Sequence, residues 1–222
     1  MLVYTEKAGK YYNINMFNKD LSDMKEKGFR GNFYINLTNR CNCSCTFCLR
    51  NNKQMEEENT LWLKEEPSAE QIIEELEKYQ IENTYEAVFC GFGEPTMALP
   101  ALLAVASYIK GRCPSIKIRI NTNGLANIEY GRDITPEFAG LVDTVSISLN
   151  ASTAEKYLEL TRNRFGLSSY EEMLKFARTC EQHVPEVVMT VVDCIGEQEV
   201  AASQAVCDKW GLKLRVRPYE ES

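Results

Sequence analysis

The chain has 222 residues, of which 44% are hydrophobic, and a formal net charge of −7. This hydrophobic content is enough for one large domain with a substantial core, and the acidic balance weighs against a protein that grips nucleic acid through its phosphates. The first residues are too polar for a signal peptide, and no apolar run reaches the roughly 18 residues of a membrane span. We therefore expect a cytoplasmic protein with no membrane partner.

Residues 1–30 are predicted to form an N-terminal extension. Apolar and polar side chains alternate at the start of this extension, which favours a β-hairpin that turns at Ala8 and Gly9. A polar helical segment follows near residues 19–27. We expect this hairpin and helix to precede one domain at residues 31–222.

From Asn32 onward the pattern repeats strand, loop and helix, which predicts parallel strands joined by right-handed helical crossovers. The six predicted strands span residues 33–38, 86–91, 115–121, 144–149, 186–192 and 212–217. Ser68 and Gln71 fit a capping box at the start of the first crossover helix. Further helices are predicted at 98–111, 133–141, 153–162, 169–182 and 197–210.

The strands at 115–121, 144–149 and 212–217 alternate between apolar and polar side chains. Strands buried on both faces of a parallel sheet read as continuous apolar runs, so a polar face indicates a concavity that holds a ligand. The expected fold class is α/β, a partial, open (β/α)6 TIM-like barrel with a short N-terminal extension. Its open side either admits a large substrate or is covered by a partner protein or a second copy of the chain.

Nine cysteines, four of them within residues 41–48, indicate metal or redox chemistry rather than a disulfide framework. Cys41, Cys45 and Cys48 follow the first strand, at the edge where parallel α/β folds place their active sites. A cube of iron and sulfur usually takes four cysteines, so a triplet implies one open iron. Cys43 would need a cramped chelate to be the fourth ligand, and we interpret it as a spectator thiol.

A structural zinc site is the alternative for the same cysteines. Such a site needs four closed positions, commonly supplied by paired knuckles or histidine. The sequence has no second knuckle, and its sole histidine, His183, falls at a predicted helix end and is interpreted as a structural or surface residue. Cys113, Cys180 and Cys207 are interpreted as small buried apolar side chains.

The cysteine triplet with Phe47, followed after the second strand by Gly91-Phe92-Gly93-Glu94-Pro95, resembles the radical S-adenosylmethionine (SAM) superfamily. The resemblance covers about residues 32–219 and implies an enzyme in which SAM binds the open iron of a 4Fe-4S cluster held by the triplet. Reductive cleavage of SAM then yields methionine and a 5′-deoxyadenosyl radical, which abstracts hydrogen from a substrate. A flavodoxin or ferredoxin would supply the electron.

The resemblance also implies which residues bind SAM. Gly91 and Gly93 would let the backbone approach the methionine moiety, and Glu94 would accept a hydrogen bond from its amino group. Polar residues at the ends of the third and fourth strands, with an arginine in the next helix, would contact the ribose or the carboxylate or hold the loop: Asn121, Thr122, Asn123, Ser148, Asn150 and Arg162. The structural alternative is that these side chains only cap turns and helices.

Two further hypotheses concern the substrate. Cys194, which follows Asp193 after the fifth strand, is a candidate catalytic thiol that donates or relays a hydrogen atom. Three arginines, Arg119, Arg215 and Arg217, are expected to face the concavity from their positions along the strands. Cations in such a place need anionic partners. An acidic substrate is one hypothesis, and pairing with internal acids or a position on the open rim is the alternative.

The strings FYINLTNRC, TFCLRNN, SLNAS and YLELTRNRFG look closest to small TatD-associated radical SAM proteins, a group with no settled reaction to carry over. Two alternatives to a radical SAM enzyme with its own substrate stay open. One is an iron–sulfur or SAM-binding sensor without turnover, and the other is a glycyl-radical-activase-like protein that acts on a partner protein.

Overall fold

The structure, a computed structural model, describes residues 2–7, 10–13, 32–52, 60–78 and 81–218. The strands are β1 (Val3–Lys7), β2 (Lys10–Asn13), β3 (Phe33–Ile35), β4 (Glu86–Phe89), β5 (Lys117–Thr122), β6 (Thr144–Ser148), β7 (Glu186–Val192) and β8 (Lys213–Arg217). The helices are α1 (Leu49–Asn52), α2 (Ala69–Glu77), α3 (Leu99–Arg112), α4 (Ala126–Tyr130), α5 (Ala154–Thr161), α6 (Ser169–Cys180) and α7 (Glu197–Trp210). The strand order β2-β1-β3-β4-β5-β6-β7-β8 follows the chain from β3 onward, as the repeated strand and helix pattern predicts.

Contacts divide the chain into two compact units, and the first comprises Met1–Arg40 and Gln54–Arg119. Here β1 pairs antiparallel with β2 and with β3, and β3 runs parallel to β4. The predicted hairpin is thus confirmed, while its turn, the predicted helix near 19–27 and the boundary at residue 30 lie outside the described residues. Tyr4 in β1 stacks on Tyr34 in β3 with ring centroids 5.2 Å apart, so the hairpin contributes to the core.

The helices of the first unit pack their apolar faces inward. The predicted capping box is present at α2, where Ser68 and Gln71 each accept a hydrogen bond from the other's main-chain N–H. Ile72 and Leu76 are fully buried on this helix, which packs against α3. Each fully buried aliphatic side chain stabilises the fold by about 1.5–3 kcal/mol relative to exposure.

The second unit comprises Cys41–Lys53 and Ile120–Ser222. Strands β6, β7 and β8 are parallel neighbours, with Val145 opposite Val187 and Val188 opposite Lys213. Phe176 of α6 meets Phe138 edge to face at 6.5 Å between ring centroids. No helix among the residues described in either unit has the length and apolarity needed to cross a membrane.

Two details of the sequence prediction were wrong. The helix predicted at 133–141 is a 3₁₀ helix, Thr135–Phe138, preceded by α4, because Gly131 and Gly140 adopt positive φ and stop helical propagation on each side. Cys113 is half-buried rather than buried, and its Sγ lies 3.4 Å from Oγ of Ser115.

The first barrel strand is also shorter than predicted, ending at Ile35 instead of residue 38. Beyond it, asparagine side chains bond to the segment at 61–63 in place of a strand ladder. Asn36 donates from Nδ2 to the carbonyl oxygen of Leu61 at 2.6 Å, and Asn39 exchanges two hydrogen bonds with the main chain of Leu63. Side chains that bond to backbone in this way compete with regular secondary structure.

Candidate functional site

The cysteine loop, residues 41–48, leads directly into α1. Cys41, Cys45 and Cys48 are half-buried, Cys43 is buried, and all four are free thiols. The main-chain N–H of Cys48 donates to the carbonyl oxygen of Cys45 at 3.2 Å. Within the described residues, no three His, Cys, Asp or Glu side chains surround a common position for a single metal ion. The three predicted ligands thus reach solvent from one short loop, while protein covers the fourth thiol.

The thiols of this loop alter one another's protonation. Hydrogen bonds to Cys41 and Cys45 raise the pKa of Cys43, and burial raises it further. The hydrogen bond from Cys43 is the largest cause that lowers the pKa of Cys45, against the opposing effect of burial. Burial raises the pKa of Cys48. These effects favour a protonated Cys43 thiol, whose Sγ lies 3.7 Å from the acceptor Oδ1 of Asn42, and they support its interpretation as a spectator.

Backbone pairing fixes the middle of the cysteine loop. The N–H of Ser44 donates to the carbonyl oxygen of Thr161, and the N–H of Thr46 donates to that of Leu160, each at 2.9 Å. These carbonyl groups belong to the last turn of α5, which has no partners for them within the helix. The end of α5 therefore positions the peptide units between the predicted cysteine ligands.

A polar network that sequence analysis missed surrounds Asn42, a buried residue of the loop. Its Nδ2 donates to Oε2 of Glu129 at 3.1 Å, and its Oδ1 accepts from Nδ2 of Asn123 at 2.6 Å. Arg164 donates its main-chain N–H to the carbonyl oxygen of Asn42 at 3.2 Å and pairs its guanidinium with Glu129. The only sequence signal for Asn42, Glu129 and Arg164 was their own polar character.

In the first unit, the two glycines before Glu94 permit close packing of protein on protein. A Cβ atom at Gly91 would lie 2.0 Å from Oδ1 of Asn36, and one at Gly93 would lie 2.2 Å from the carbonyl oxygen of Thr38. Neither position can hold a larger residue without displacing its neighbours. The structure thus supplies a packing reason for both glycines, separate from the predicted contact with methionine.

Glu94 is buried, with a side chain that caps the 3₁₀ helix Pro95–Ala98. Its Oε1 accepts hydrogen bonds from the N–H of Thr96 at 3.1 Å and from its hydroxyl at 2.8 Å. The N–H of Glu94 donates to the carbonyl oxygen of Arg40 at 2.8 Å. Arg40 also forms a 2.7 Å ion pair with Glu66, whose pKa it lowers. The residue just before the cysteine loop is therefore fixed through both its main chain and its side chain.

The end of β5 contains three of the predicted residues. Asn121 is half-buried, and Thr122 is buried with its hydroxyl oxygen accepting from the N–H of Gly124 at 3.1 Å. Asn123 accepts at Oδ1 from the N–H of Leu125 at 3.0 Å and directs Nδ2 to the cysteine loop. That nitrogen lies 3.4 Å from Sγ of Cys43 and 3.9 Å from Sγ of Cys41. Of the three, Asn123 is the residue that these hydrogen bonds join to a predicted ligand, Cys41, and to the spectator Cys43.

The remaining predicted residues of the second unit lie at the ends of elements. Ser148 ends β6 and is half-buried, and Asn150, two residues on, has a φ of +63°. Arg162 is exposed and ends α5 in the left-handed conformation, with a φ of +46°. Asp193 and Cys194 are exposed in the 3₁₀ helix Asp193–Ile195, directly after β7. Left-handed backbone is uncommon outside glycine, and Asn adopts it more readily than Arg.

The three arginines assigned to the concavity differ in their surroundings. Arg119 forms a 2.8 Å ion pair with Glu86, and the two side chains are 15% and 16% exposed. Arg215 is exposed and donates to Oγ of Ser146 at 3.0 Å, and Arg217 is also exposed. Arg119 therefore follows the alternative interpretation, pairing with an internal acid, while Arg215 and Arg217 present their charges to solvent.

Comparison with known families gives one match, to the model described as the radical SAM superfamily, over residues 35–202. Among curated proteins, GTP 3′,8-cyclase of Corynebacterium glutamicum strain R is 26% identical over 190 residues, which are 82% of this chain and 47% of the relative. The chain thus spans about half the length of the curated relatives it matches.

Solved structures share the fold at low identity. A radical SAM methyltransferase from Sphaerobacter thermophilus superimposes with a TM-score of 0.59 at 15% identity, over 85% of this chain and 55% of that one. SuiB of Streptococcus suis superimposes with a TM-score of 0.62 at 16% identity, over 94% of this chain and 45% of that one. The structure of SuiB bound to S-adenosylmethionine superimposes with a TM-score of 0.58 at 17% identity, over 94% of this chain and 44% of that one. These similarities confirm the predicted fold class, a partial, open barrel of α/β type.

Proposed function

The chain belongs to the radical SAM superfamily, whose model matches residues 35–202, and on this premise we propose that it is a radical SAM enzyme. In this proposal Cys41, Cys45 and Cys48 hold a 4Fe-4S cluster with one iron open to SAM. The observation that carries it is the set of three half-buried free thiols on one loop, beside a fourth thiol that is buried. Thiolates are the ligands that such clusters require.

When bound, the reduced cluster and SAM supply a 5′-deoxyadenosyl radical that removes a hydrogen atom from a substrate. We assign the electron to a flavodoxin or ferredoxin. The chain's own contribution is to fix the middle of the cysteine loop through the carbonyl groups of Leu160 and Thr161.

The proposed SAM contacts follow the chemistry of the side chains. Glu94 is 4% exposed, and a carboxylate buried to this degree favours a cationic partner, such as the amino group of SAM. Asn121 and Asn150, each half-buried at the end of a strand, have amides suited to ribose hydroxyls. Ser148 and Arg162 complete the proposed set, with Arg162 assigned to the SAM carboxylate.

The substrate is proposed to be anionic. Arg215 and Arg217 are exposed on β8 with the same strand parity, which supports recognition of a carboxylate or phosphate. A cyclase and a methyltransferase are among the similar proteins, so the family accommodates different reactions and the chemistry after hydrogen abstraction is not carried over.

Anaerobic reconstitution with iron and sulfide, followed by dithionite and SAM, tests the proposal. The unmodified chain should bind about four irons and release 5′-deoxyadenosine, as expected for one cube with an open iron. Cys41→Ala, Cys45→Ala and Cys48→Ala should each abolish SAM cleavage, whereas Cys43→Ala, the matched control, should retain it. About one zinc and no iron in protein purified without oxygen would contradict the proposal and favour the structural zinc site.

A further inference from the structure

Glu129, in the short helix α4, receives hydrogen bonds from two separate segments of the second unit. Its Oε2 accepts from Nδ2 of Asn42 at 3.1 Å, and its Oε1 accepts from the guanidinium of Arg164. The Glu129 side chain is 14% exposed, so this carboxylate is partly withdrawn from water. Hydrogen bonds to an ionised group in such surroundings are stronger than those between neutral groups.

The carboxylate determines which way the Asn42 amide points. An ionised carboxylate only accepts hydrogen bonds, so Asn42 must turn its NH2 group to Glu129. This leaves Oδ1 of Asn42 to accept from Nδ2 of Asn123 at 2.6 Å. The other end of Asn123 is also constrained, because its Oδ1 accepts from the N–H of Leu125 at 3.0 Å.

The two constraints together direct the NH2 group of Asn123 at sulfur. Nδ2 lies 3.4 Å from Sγ of Cys43 and 3.9 Å from Sγ of Cys41, within hydrogen-bond reach of both. Reversal of either amide would place oxygen against oxygen. Glu129 therefore fixes the orientation of the Asn42 amide, and Asn42 in turn fixes that of Asn123, whose NH2 group faces the predicted cluster ligand Cys41.

Arg164 couples the same carboxylate to the backbone of the loop. Its guanidinium pairs with Glu129, and its own N–H donates to the carbonyl oxygen of Asn42 at 3.2 Å. Three and four residues before Arg164, at the end of α5, lie the carbonyl groups of Thr161 and Leu160 that accept from Ser44 and Thr46. Glu129 thus holds the chain after α5 and the cysteine loop at one fixed separation.

We infer that Glu129 is a positioning residue, which orients Asn42 and Asn123 and so presents an N–H donor to the sulfur of Cys41. This inference rests on the proposed function for its consequence, because hydrogen bonds to the sulfurs set the potential of an iron–sulfur cluster. A donor to a ligand sulfur stabilises the more negative, reduced state. Loss of the Asn123 donor should therefore make the cluster harder to reduce.

The first test needs no cluster. In the metal-free full chain, Glu129→Gln should speed amide hydrogen exchange at Ser44 and Thr46 about tenfold, since loss of a charge-assisted hydrogen bond favours local opening by about that factor. The matched control is Glu137→Gln, which removes a carboxylate paired with Arg132 in the same unit and should leave both amides unchanged. Unchanged exchange in Glu129→Gln, or equal acceleration in the control, would overturn the inference.

The second test measures the midpoint potential of the reconstituted protein. Asn42→Ala and Asn123→Ala leave the net charge unchanged and should each lower it, and the double variant should fall no further than Asn123→Ala alone, because both act through one hydrogen-bond chain. Additive shifts would refute that chain, as would an unshifted potential in Asn42→Ala. Failure of the proposed function is a separate result, since an unmodified chain that binds no iron would still show the exchange effect at Ser44 and Thr46.

Discussion

Gly93 lies so close to Thr38 that a Cβ atom on the glycine would stand 2.2 Å from the threonine carbonyl oxygen. The same atom would stand 2.7 Å from the carbonyl oxygen of Arg40. Two segments of the first unit therefore meet backbone to backbone at the residues that introduce the cysteine loop. The requirement for glycine at this position follows from packing, whether or not a ligand also approaches it.

Gly93→Ala should destabilise the protein by about 1–3 kcal/mol, the usual cost of overpacking a filled site. The control is Gly111→Ala in α3, where no atom of the described residues, apart from the helix's own nearby backbone and the chain neighbours, lies within 4 Å of an added Cβ. That substitution should stabilise the protein by up to about 1 kcal/mol through helix propensity. Urea unfolding measures both, and a Gly93→Ala chain as stable as the original would contradict the packing argument.

The Arg119–Glu86 ion pair should behave as an internal contact. Both side chains are largely buried, so Arg119→Met should cost about 1.5–3 kcal/mol by leaving the carboxylate without its guanidinium. Arg112→Met, which breaks the more exposed pair with Glu82, should cost at most about 1 kcal/mol. Equal losses in thermal or urea unfolding would show that burial does not distinguish the two pairs.

The ion pair between Glu199 and Lys156 should contribute a pH-dependent part of the stability. The lysine lowers the pKa of Glu199 below its ordinary value of 4.5, helped by the N–H of Ser152. Because the folded pKa is the lower one, the contribution is complete above the unfolded pKa and is lost as pH falls through the folded value. Glu199→Gln should therefore lose stability at neutral pH and show a shallower decline below about pH 5. A parallel decline in urea unfolding would refute this.

Asn163→Ala should loosen the segment that receives the cysteine loop. Asn163 is buried, accepts from the N–H of Phe165 at 2.9 Å and donates to the hydroxyl of Thr161 at 3.2 Å. Loss of these bonds should cost about 1–2 kcal/mol and speed iron release to a chelator. Thr179→Ala, at a more exposed hydroxyl of α6, serves as control and should change neither quantity by much.

Cysteine alkylation should follow burial in the metal-free protein. Cys194 is exposed, whereas Cys180 and Cys207 are buried, so Cys194 should react with iodoacetamide before those two, as mass spectrometry of peptides would show. Removal of this thiol also tests its hypothetical role as a hydrogen donor. Cys194→Ala with full turnover on the physiological substrate would exclude that role.

The regular elements were largely predictable from sequence. All six barrel strands were found, because each is a short apolar or alternating run bounded by turn residues, a local property of the chain. The prediction of a helix at 133–141 was wrong, because the apolar spacing did not reveal that Gly131 and Gly140 would adopt positive φ. The site residues were likewise predictable only in part. Spacing identified Cys41, Cys45 and Cys48 as candidates, and their role as ligands stays a prediction.

Sequence alone determined the family, the strand and helix alternation and the cysteine triplet, because these are patterns among residues close together in the chain. Only the tertiary structure decided what surrounds the triplet. Glu129 and Asn42 bond across 87 positions of sequence, and Ser44 meets the end of α5. A single hydrogen bond between distant residues produces no periodicity and no composition bias, so it becomes visible only when the folded chain brings donor and acceptor together.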